Sequence, residues 1–225
     1  MKNLDFKTPC LSPSLLAANK YDMNRELAKA EKAGVPLIHI DIMDGKFVPN
    51  QSFGVDFVRK FGRKHSLIND VHLMVIQPWL KIEEFAEAGA DIITIHYEAC
   101  PNDDVIHATL KRIHDAGCRA GLSIKPKTPI YRLTPFLYEV DLVLVMTVEP
   151  GKGGQKFIDN CVLRVRNLKT TMELIGAKPL IEVDGGINDK TAPKIIKAGA
   201  DIIVSGSYLY GHEDFEERAK ILLKQ

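Results

Sequence analysis

Cysteine is scarce in this sequence, and long apolar runs are missing. The cysteines include no C-x-x-C pair, which argues against a disulfide framework and against a cysteine-rich zinc site. No stretch approaches the roughly 18 apolar residues that a membrane span needs, and the opening residues MKNLDFKTPC lack the apolar segment of a secretory signal. The cysteines are Cys10, Cys100, Cys118 and Cys161. We therefore expect a soluble, cytoplasmic protein without a membrane partner.

An excess of charge of one sign is missing as well. Lys and Arg number 30 against 29 Asp and Glu, so a nucleic acid is not expected as a partner. With 45% hydrophobic and 26% charged residues, the composition is typical of a globular protein. The length of 225 residues exceeds that of a usual single domain, yet α/β barrels of about 200 to 250 residues fold around one core. One domain spanning 1–225 is therefore predicted.

The chain does contain a repeated pattern of helix, tight turn and strand. Four segments share it: KAGVPLIHID from Lys32, EAGADIITIH from Glu87, DAGCRAGLSI from Asp115 and KAGADIIVSG from Lys197. In each, an amphipathic helix ends on Ala-Gly, where glycine supplies a left-handed conformation, and an apolar run of strand length follows. The same search predicts four more strands at 11–16, 68–74, 142–147 and 180–184.

Helical patterns separate the eight predicted strands. They lie at about 22–33, 54–62, 79–88, 103–116, 129–139, 157–175, 188–198 and 213–224. The segment 129–139 is ambiguous, because Pro129 can open a helix whereas Pro135 would interrupt it. Eight alternating units in a chain of this length favour a single-domain (β/α)8 barrel over a doubly wound open sheet. In such barrels the active site lies at the carboxyl ends of the strands.

Polar residues occupy several of these predicted strand ends. His39 and Asp41 lie two residues apart on the second strand and therefore point to the same face, while His72 and Asp184 end the third and seventh strands. A single buried histidine is more often a hydrogen-bonded core residue than a ligand. Two carboxylates in apolar surroundings are costly unless paired or metal-bound, so the four together predict a site for zinc, manganese or ferrous iron. His96 ends the fourth strand as either a fifth polar group or a local hydrogen-bond partner.

Glycines follow the last three predicted strands. Strand six runs into VEPGKGGQKF, which precedes a predicted helix. The glycines concerned are Gly151, Gly153 and Gly154 after strand six, Gly185 and Gly186 after strand seven, and Gly206, next to Ser207, after strand eight. Glycines let backbone N–H groups converge on an anion, helped by the positive end of a helix, and this fold commonly binds phosphate after strands seven and eight. A small phosphorylated substrate is therefore predicted.

Three methionines are expected near the same end of the barrel. They are Met43, Met74 and Met146. Scattered methionines commonly fill gaps in a core. The alternative is a soft apolar collar that excludes water around a charged intermediate.

These residues resemble the ribulose-phosphate 3-epimerase family from end to end. The matching stretches are SPSLLAA at 12–18, HIDIMDGKFVPNQSFG at 39–54, HLMV at 72–75, AGADIITIH at 88–96, VMTVEPGKGGQKF at 145–157 and VDGGI at 183–187. The family interconverts D-ribulose 5-phosphate and D-xylulose 5-phosphate. The resemblance implies metal-dependent inversion at C3 of a ketose phosphate through an enediolate. It also implies a homo-oligomer with one divalent ion per subunit, which can be zinc, iron(II), manganese or cobalt.

The resemblance implies individual roles too. His39, Asp41, His72 and Asp184 would bind the metal, Asp41 and Asp184 would be the acid/base pair, and Ser14, His72 and Asp184 would contact the substrate. Phosphate would be bound by Gly151, Gly153, Gly154, Gly185, Gly186, Gly206 and Ser207. Two residues depart from the pattern: Lys46 stands where the family often has His, and Lys152 where it commonly has Phe. Lys152 either attracts the substrate phosphate or reaches into solvent.

Three other functions stay open at this point. An epimerase for a phosphorylated ketohexose, such as D-allulose 6-phosphate, would share the same motifs. A Schiff-base aldolase would use Lys125, which ends the fifth predicted strand, as a buried amine nucleophile. A non-catalytic phosphate-binding barrel would bind the substrate without exchanging its C3 hydrogen.

Overall fold

A computed structural model describes residues 6–223 of the chain. Its eight parallel strands form one sheet in the order β1-β8-β7-β6-β5-β4-β3-β2. A parallel bridge between Ser14 and His39 joins the two ends of this order, so the sheet forms a nearly closed barrel. The strands are β1 (Cys10–Pro13), β2 (Leu37–Met43), β3 (Ile68–Met74), β4 (Ile92–His96), β5 (Arg119–Ile124), β6 (Leu142–Met146), β7 (Leu180–Asp184) and β8 (Ile202–Ser205). The predicted (β/α)8 barrel is confirmed.

Helices follow the strands around the outside of the barrel. Within residues 6–223 the α-helices are α1 (Met23–Lys32), α2 (Val55–Phe61), α3 (Ile82–Ala88), α4 (Asp103–Asp115), α5 (Cys161–Ile175), α6 (Ala192–Lys197) and α7 (Phe215–Leu223). Shorter 3-10 helices lie at Leu15–Ala17, Pro78–Leu80, Tyr97–Ala99 and Ile130–Phe136. None of the helices in this part of the chain combines the length and apolar composition that crossing a membrane requires.

The two faces of each strand pack into different clusters of apolar side chains. On β2, Ile38, Ile40 and Ile42 point outward into the large core between sheet and helices. Leu37 points inward and packs with other apolar side chains that close the amino end of the barrel. Those side chains are Cys10, Ile68, Ile92, Leu142 and Ile202. Polar inward-facing residues of the same strands therefore lie nearer the carboxyl end, which we call the mouth of the barrel.

The glycines of the repeated segments take the left-handed conformation that the pattern predicts. The φ angle is +70° at Gly34 and +113° at Gly199, where each helix turns into the next strand. The strand predicted at 11–16 ends earlier, at Pro13, because a 3-10 helix begins at Leu15. Its cap is Ser14, whose Oγ accepts a hydrogen bond from the N–H of Leu16 at 3.3 Å.

The helix predictions differ from the structure in four other places. The ambiguous segment 129–139 forms the 3-10 helix Ile130–Phe136, since Pro135 lacks the N–H that an α-helix needs. The helix predicted at 79–88 is divided into Pro78–Leu80 and α3. Those predicted at 157–175 and 188–198 begin four residues later than expected. The last predicted helix includes residue 224, which lies outside the described residues.

Candidate functional site

Three inward-facing strand residues bring potential ligand atoms together at the mouth. His39 Nε2 lies 3.3 Å from His72 Nδ1, and Asp41 Oδ1 lies 3.3 Å from His72 Nδ1 and 3.5 Å from His39 Nε2. Asp184 joins them, such that each of the four residues offers one ligand atom within 4.8 Å of the others. We call His39, Asp41, His72 and Asp184 the four-residue cluster. The structure thus unites residues from β2, β3 and β7.

The spacing in this cluster fits a divalent metal ion. Ligand atoms in a tetrahedral site with bonds of about 2.0 to 2.1 Å lie about 3.3 Å apart, close to the three distances above. Two imidazole nitrogens and a carboxylate oxygen facing one another need a proton or a cation between them. The cluster is therefore able to bind a metal ion, and its nitrogen and oxygen donors suit zinc, manganese or iron(II).

Two buried carboxyl groups support His39 from below. His39 Nδ1 lies 2.5 Å from Asp70 Oδ2 and 3.6 Å from Glu182 Oε1. These three residues form a second group of potential ligands. Because Nδ1 faces Asp70, however, that contact orients the ring and leaves Nε2 for the four-residue cluster. Burial and the charge of Asp70 raise the pKa of Glu182 well above its usual range.

The two aspartates of the cluster have different electrostatic surroundings. Burial raises the pKa of Asp41, but His39 and His72 outweigh it and hold that pKa far below its usual range. The hydroxyl of Ser14 also donates to Asp41 Oδ2 at 2.8 Å. At Asp184, burial and the charge of Asp41 raise the pKa to about 7. Environments that separate the pKa values of two carboxyl groups are typical of acid/base pairs.

The pKa values of the histidines in the site are shifted in opposite directions. Burial lowers the pKa of His39, but the carboxylates of Asp70 and Asp41 outweigh it and hold the pKa well above the usual value. Burial lowers the pKa of His72, and it lowers that of His96 to about 4. His96 Nε2 lies 2.9 Å from His72 Nε2. His96 is therefore a hydrogen-bond partner of a cluster residue, on the side away from the other three.

A cavity of about 630 Å³ opens above the four-residue cluster. The predicted glycine segments line it together with Ser14, Asp41, Asp184 and the three predicted methionines. From these segments the lining residues are Gly151, Lys152, Gly153, Gly154, Gly185, Gly186, Gly206 and Ser207. One cavity thus joins the possible metal ligands to the possible anion-binding loops.

The residues at the two ends of the cavity differ from the expectation in detail. The helix expected directly after the glycine loop begins only at Cys161, so it is the loop itself that lines the cavity. His212 and Arg218 also line the cavity, although sequence patterns did not indicate them. Lys152 and Lys46 are both exposed. Of these two lysines, Lys152 also lines the cavity, so its side chain is accessible to an anion there.

Lys125 is not the buried amine that an aldolase would need. It follows the end of β5 but is only half-buried. Its Nζ lies 4.0 Å from the centre of the Phe47 ring, in a cation–π contact.

Comparison with known proteins identifies the relatives of this chain. The family model described as the ribulose-phosphate 3 epimerase family matches residues 10–210. Ribulose-phosphate 3-epimerase of Bacillus subtilis (strain 168) is 43% identical, over 91% of this chain and 93% of that protein. The chloroplastic ribulose-5-phosphate-3-epimerase of Arabidopsis thaliana is 40% identical, over 93% of this chain and 74% of that protein.

Solved structures with the same fold are more distant in sequence. A 3-hexulose-6-phosphate synthase has a TM-score of 0.69 and 18% identity, over 95% of this chain and 97% of that one. A tryptophan synthase complex from Pyrococcus furiosus gives a TM-score of 0.69 and 17% identity, over 97% and 99%. The fold, the cluster and the cavity together define an enzyme of the (β/α)8 barrel class. The chain belongs to the ribulose-phosphate 3-epimerase family, and it is an epimerase.

Proposed function

We propose that this enzyme interconverts D-ribulose 5-phosphate and D-xylulose 5-phosphate by inverting C3, with one divalent metal ion held by the four-residue cluster. The observation that carries the proposal is the pair Asp41 and Asp184. They lie on strands separated by β1 and β8 around the barrel, and both line the cavity. The names of the family relatives support the choice of substrate.

Epimerisation at C3 needs two groups that move protons on opposite faces of one carbon. When bound, a divalent ion would supply Lewis-acid stabilisation of the negative charge that forms on the sugar oxygens. One aspartate takes the proton as the C3–H bond breaks, and the bond electrons move into an enediolate. The other aspartate then gives a proton to the opposite face of C3. Which aspartate acts first depends on the direction of the reaction.

The surroundings of each aspartate suit these roles. A pKa of about 7 at Asp184 lets that carboxyl group gain or lose a proton near neutral pH. The Ser14 hydroxyl fixes one oxygen of Asp41 and leaves the other within the cluster. Since thioethers carry no acidic proton, Met43, Met74 and Met146 would keep competing proton donors away from C3.

The phosphate would be bound at the other end of the cavity by backbone N–H groups. Gly186 lies where the loops after β6 and β7 touch, with φ +66°. A Cβ on Gly186 would lie 2.6 Å from the backbone nitrogen of Phe157. A side chain there must therefore displace the backbone of the loop that follows β6.

We expect Gly186→Ala to raise the KM for ribulose 5-phosphate about a hundredfold, because two hydrogen bonds to a charged phosphate are worth about 1.5 kcal/mol each. Steady-state kinetics measure this change. Gly54→Ala is the control, since Gly54 has φ −123° and its added Cβ would meet no atom within 4 Å. An unchanged KM in Gly186→Ala would contradict phosphate binding by these loops.

The experiment that tests the proposed function is exchange at C3 in deuterated water. We expect ribulose 5-phosphate to yield xylulose 5-phosphate carrying deuterium at C3, because the proton returned to carbon comes from a side chain that equilibrates with solvent. Nuclear magnetic resonance of the C3 position measures the exchange. D-allulose 6-phosphate serves as the comparison substrate.

Three outcomes would overturn the proposal. A strong preference for the hexulose phosphate would assign the longer sugar. Binding without any exchange would indicate a non-catalytic barrel. Borohydride trapping of a ketose adduct on Lys125, with activity that survives chelators, would indicate an aldolase.

A further inference from the structure

Three hydrogen-bonded side chains, His72, His96 and Glu98, form a series that leads away from the four-residue cluster; we call it the hydrogen-bond series. His72 Nε2 lies 2.9 Å from His96 Nε2, and His96 Nδ1 lies 3.3 Å from Glu98 Oε2. Both histidines are completely buried, and they come from the neighbouring strands β3 and β4. Neither His96 nor Glu98 belongs to the four-residue cluster. The hydrogen-bond series therefore contacts His72 at Nε2, the ring nitrogen that faces away from the cluster.

Glu98, at the far end of the hydrogen-bond series, is held by the loop after β5. Glu98 Oε1 accepts the backbone N–H of Lys125 at 2.8 Å and the hydroxyl of Thr128 at 2.5 Å. Arg164 on α5 holds the same loop by donating to the carbonyl oxygens of Thr128 and Lys125, at 2.7 and 3.0 Å. Both oxygens of Glu98 thus have defined partners, and its position does not depend on His96 alone.

The ring of His96 is held by packing as well. The Phe47 ring lies 4.8 Å from it, centre to centre, at an interplanar angle of 44°. Lys125 Nζ in turn lies over the Phe47 ring. These contacts oppose rotation of the His96 ring out of line with His72 and Glu98.

The direction of each hydrogen bond in the series follows from which groups can donate and which can accept. Burial raises the pKa of Glu98, but the hydrogen bonds from His96 and Thr128 outweigh it and lower the pKa to about 2. An ionised carboxylate accepts only, so the proton of the His96 ring must lie on Nδ1. With one proton on each ring, His96 Nε2 accepts, and the proton of His72 must lie on Nε2. His72 Nδ1 then directs a lone pair toward His39 and Asp41.

We propose that His96 and Glu98 are positioning residues that hold His72 in the tautomer able to bind a metal ion through Nδ1. Neither residue is among those that line the cavity. The inference rests on the proposed metal-dependent function and assigns part of the affinity for the ion to a histidine–glutamate pair behind the ligand. Partners that fix a ligand histidine typically change metal affinity by about 10- to 100-fold.

The substitution Glu98→Gln tests this polarity because the shape of the side chain is kept. The backbone N–H of Lys125 can only donate, so it holds the amide oxygen at the Oε1 position. The amide NH2 must then face His96 Nδ1 and donate to it. This reverses the direction of the hydrogen bonds in the series. His96 donates from Nε2, and the proton of His72 moves to Nδ1, where a metal ion must displace it.

We expect Glu98→Gln to raise the Kd for Zn²⁺ and for Co²⁺ by about 10- to 100-fold. Competition titration of the metal-free protein with a chromophoric chelator measures both constants. The melting temperature of the metal-free variant should remain close to that of the wild type, which a purely structural role of Glu98 would not predict. Glu139→Gln is the matched control, because Glu139 pairs with His107 on the surface through an Nδ1 contact of 2.9 Å.

A second measurement needs no variant. In the wild type, ¹⁵N chemical shifts should show His72 protonated at Nε2 and His96 protonated at Nδ1. The opposite tautomers, or a Glu98→Gln variant with the Kd of the wild type, would overturn the inference. A wild type that binds Zn²⁺ without exchanging C3 would contradict the proposed function alone and leave both readouts valid.

Discussion

Asp184→Asn and Asp41→Asn are each expected to lower kcat for epimerisation by about four orders of magnitude while the fold stays intact. In the proposed mechanism, each substitution would remove the group that moves a proton on one face of C3. It also replaces a carboxyl group of the four-residue cluster with an amide, which is a poorer metal ligand. Steady-state kinetics at saturating metal concentration measure the loss, and circular dichroism checks the fold. Asp56→Asn, at an exposed aspartate on α2, is the matched control.

The two-base mechanism makes a sharper prediction about these same variants. With one aspartate left, the C3 hydrogen of the epimer that faces it can still exchange with deuterated water, although no epimer is converted. Each variant should therefore label one substrate only, and the two variants should label opposite epimers. Near-normal turnover in either variant, or labelling of both epimers by one of them, would contradict the assignment of one aspartate to each face.

Local patterns predict the strands of this fold well, since each strand is a short apolar run between polar or turn-forming residues. The strands at Ile68–Met74 and Leu180–Asp184 have the predicted bounds. Errors occur where distant contacts override the local pattern. The sequence around Ile158 resembles the start of a helix. In the structure, however, the N–H of Ile158 donates to Thr147 O at 3.0 Å, so this segment pairs with the residue that follows β6, and α5 begins only afterwards.

The four-residue cluster lies within reach of sequence analysis because its members sit at recognisable strand ends. The contacts of the residues behind it are harder to predict, because these contacts depend on the register between strands. His39 and Asp70 are direct partners in the β2–β3 register, and no spacing along the chain reveals that pairing. Asp70 and Glu182 do lie two residues before His72 and Asp184, so the two-residue period of inward-facing positions was a usable signal.

His96 shows the same limit from another side. Its position at the end of β4 was evident, but its role depends on Glu98 and on the loop after β5, which the 3-10 helix Tyr97–Ala99 brings into contact. Likewise, His212 and Arg218 line the cavity although they lie well beyond the end of β8, where no strand-end pattern marks them. Such contacts depend on how distant segments pack and carry no local signature.

Removal of the divalent metal is expected to stop C3 exchange, and its return should restore the activity. Without an ion, the charge that forms on the sugar oxygens would lack its Lewis-acid stabilisation, so we expect kcat to fall by about four orders of magnitude or more. Dialysis against a chelator, followed by addition of zinc, iron(II), manganese or cobalt singly, measures the loss and identifies the ions that work. Full turnover at a metal content far below one ion per chain would contradict metal dependence.

The pH dependence of metal uptake follows from the protons that the metal-free cluster holds. Burial and the charge of Asp41 raise the pKa of Asp184 from an ordinary value near 3.8 to about 7, so the group binds a proton below neutral pH. A metal ion needs the carboxylate and must displace this proton, and His39, with its raised pKa, gives up another. Affinity should therefore fall as the pH decreases through 7, by about tenfold per unit for each proton displaced. Calorimetry in buffers of different ionisation enthalpy counts the protons released on binding, and Asp184→Asn should release one fewer. A metal affinity that does not change between pH 6 and 8 would show that the cluster is not the binding site.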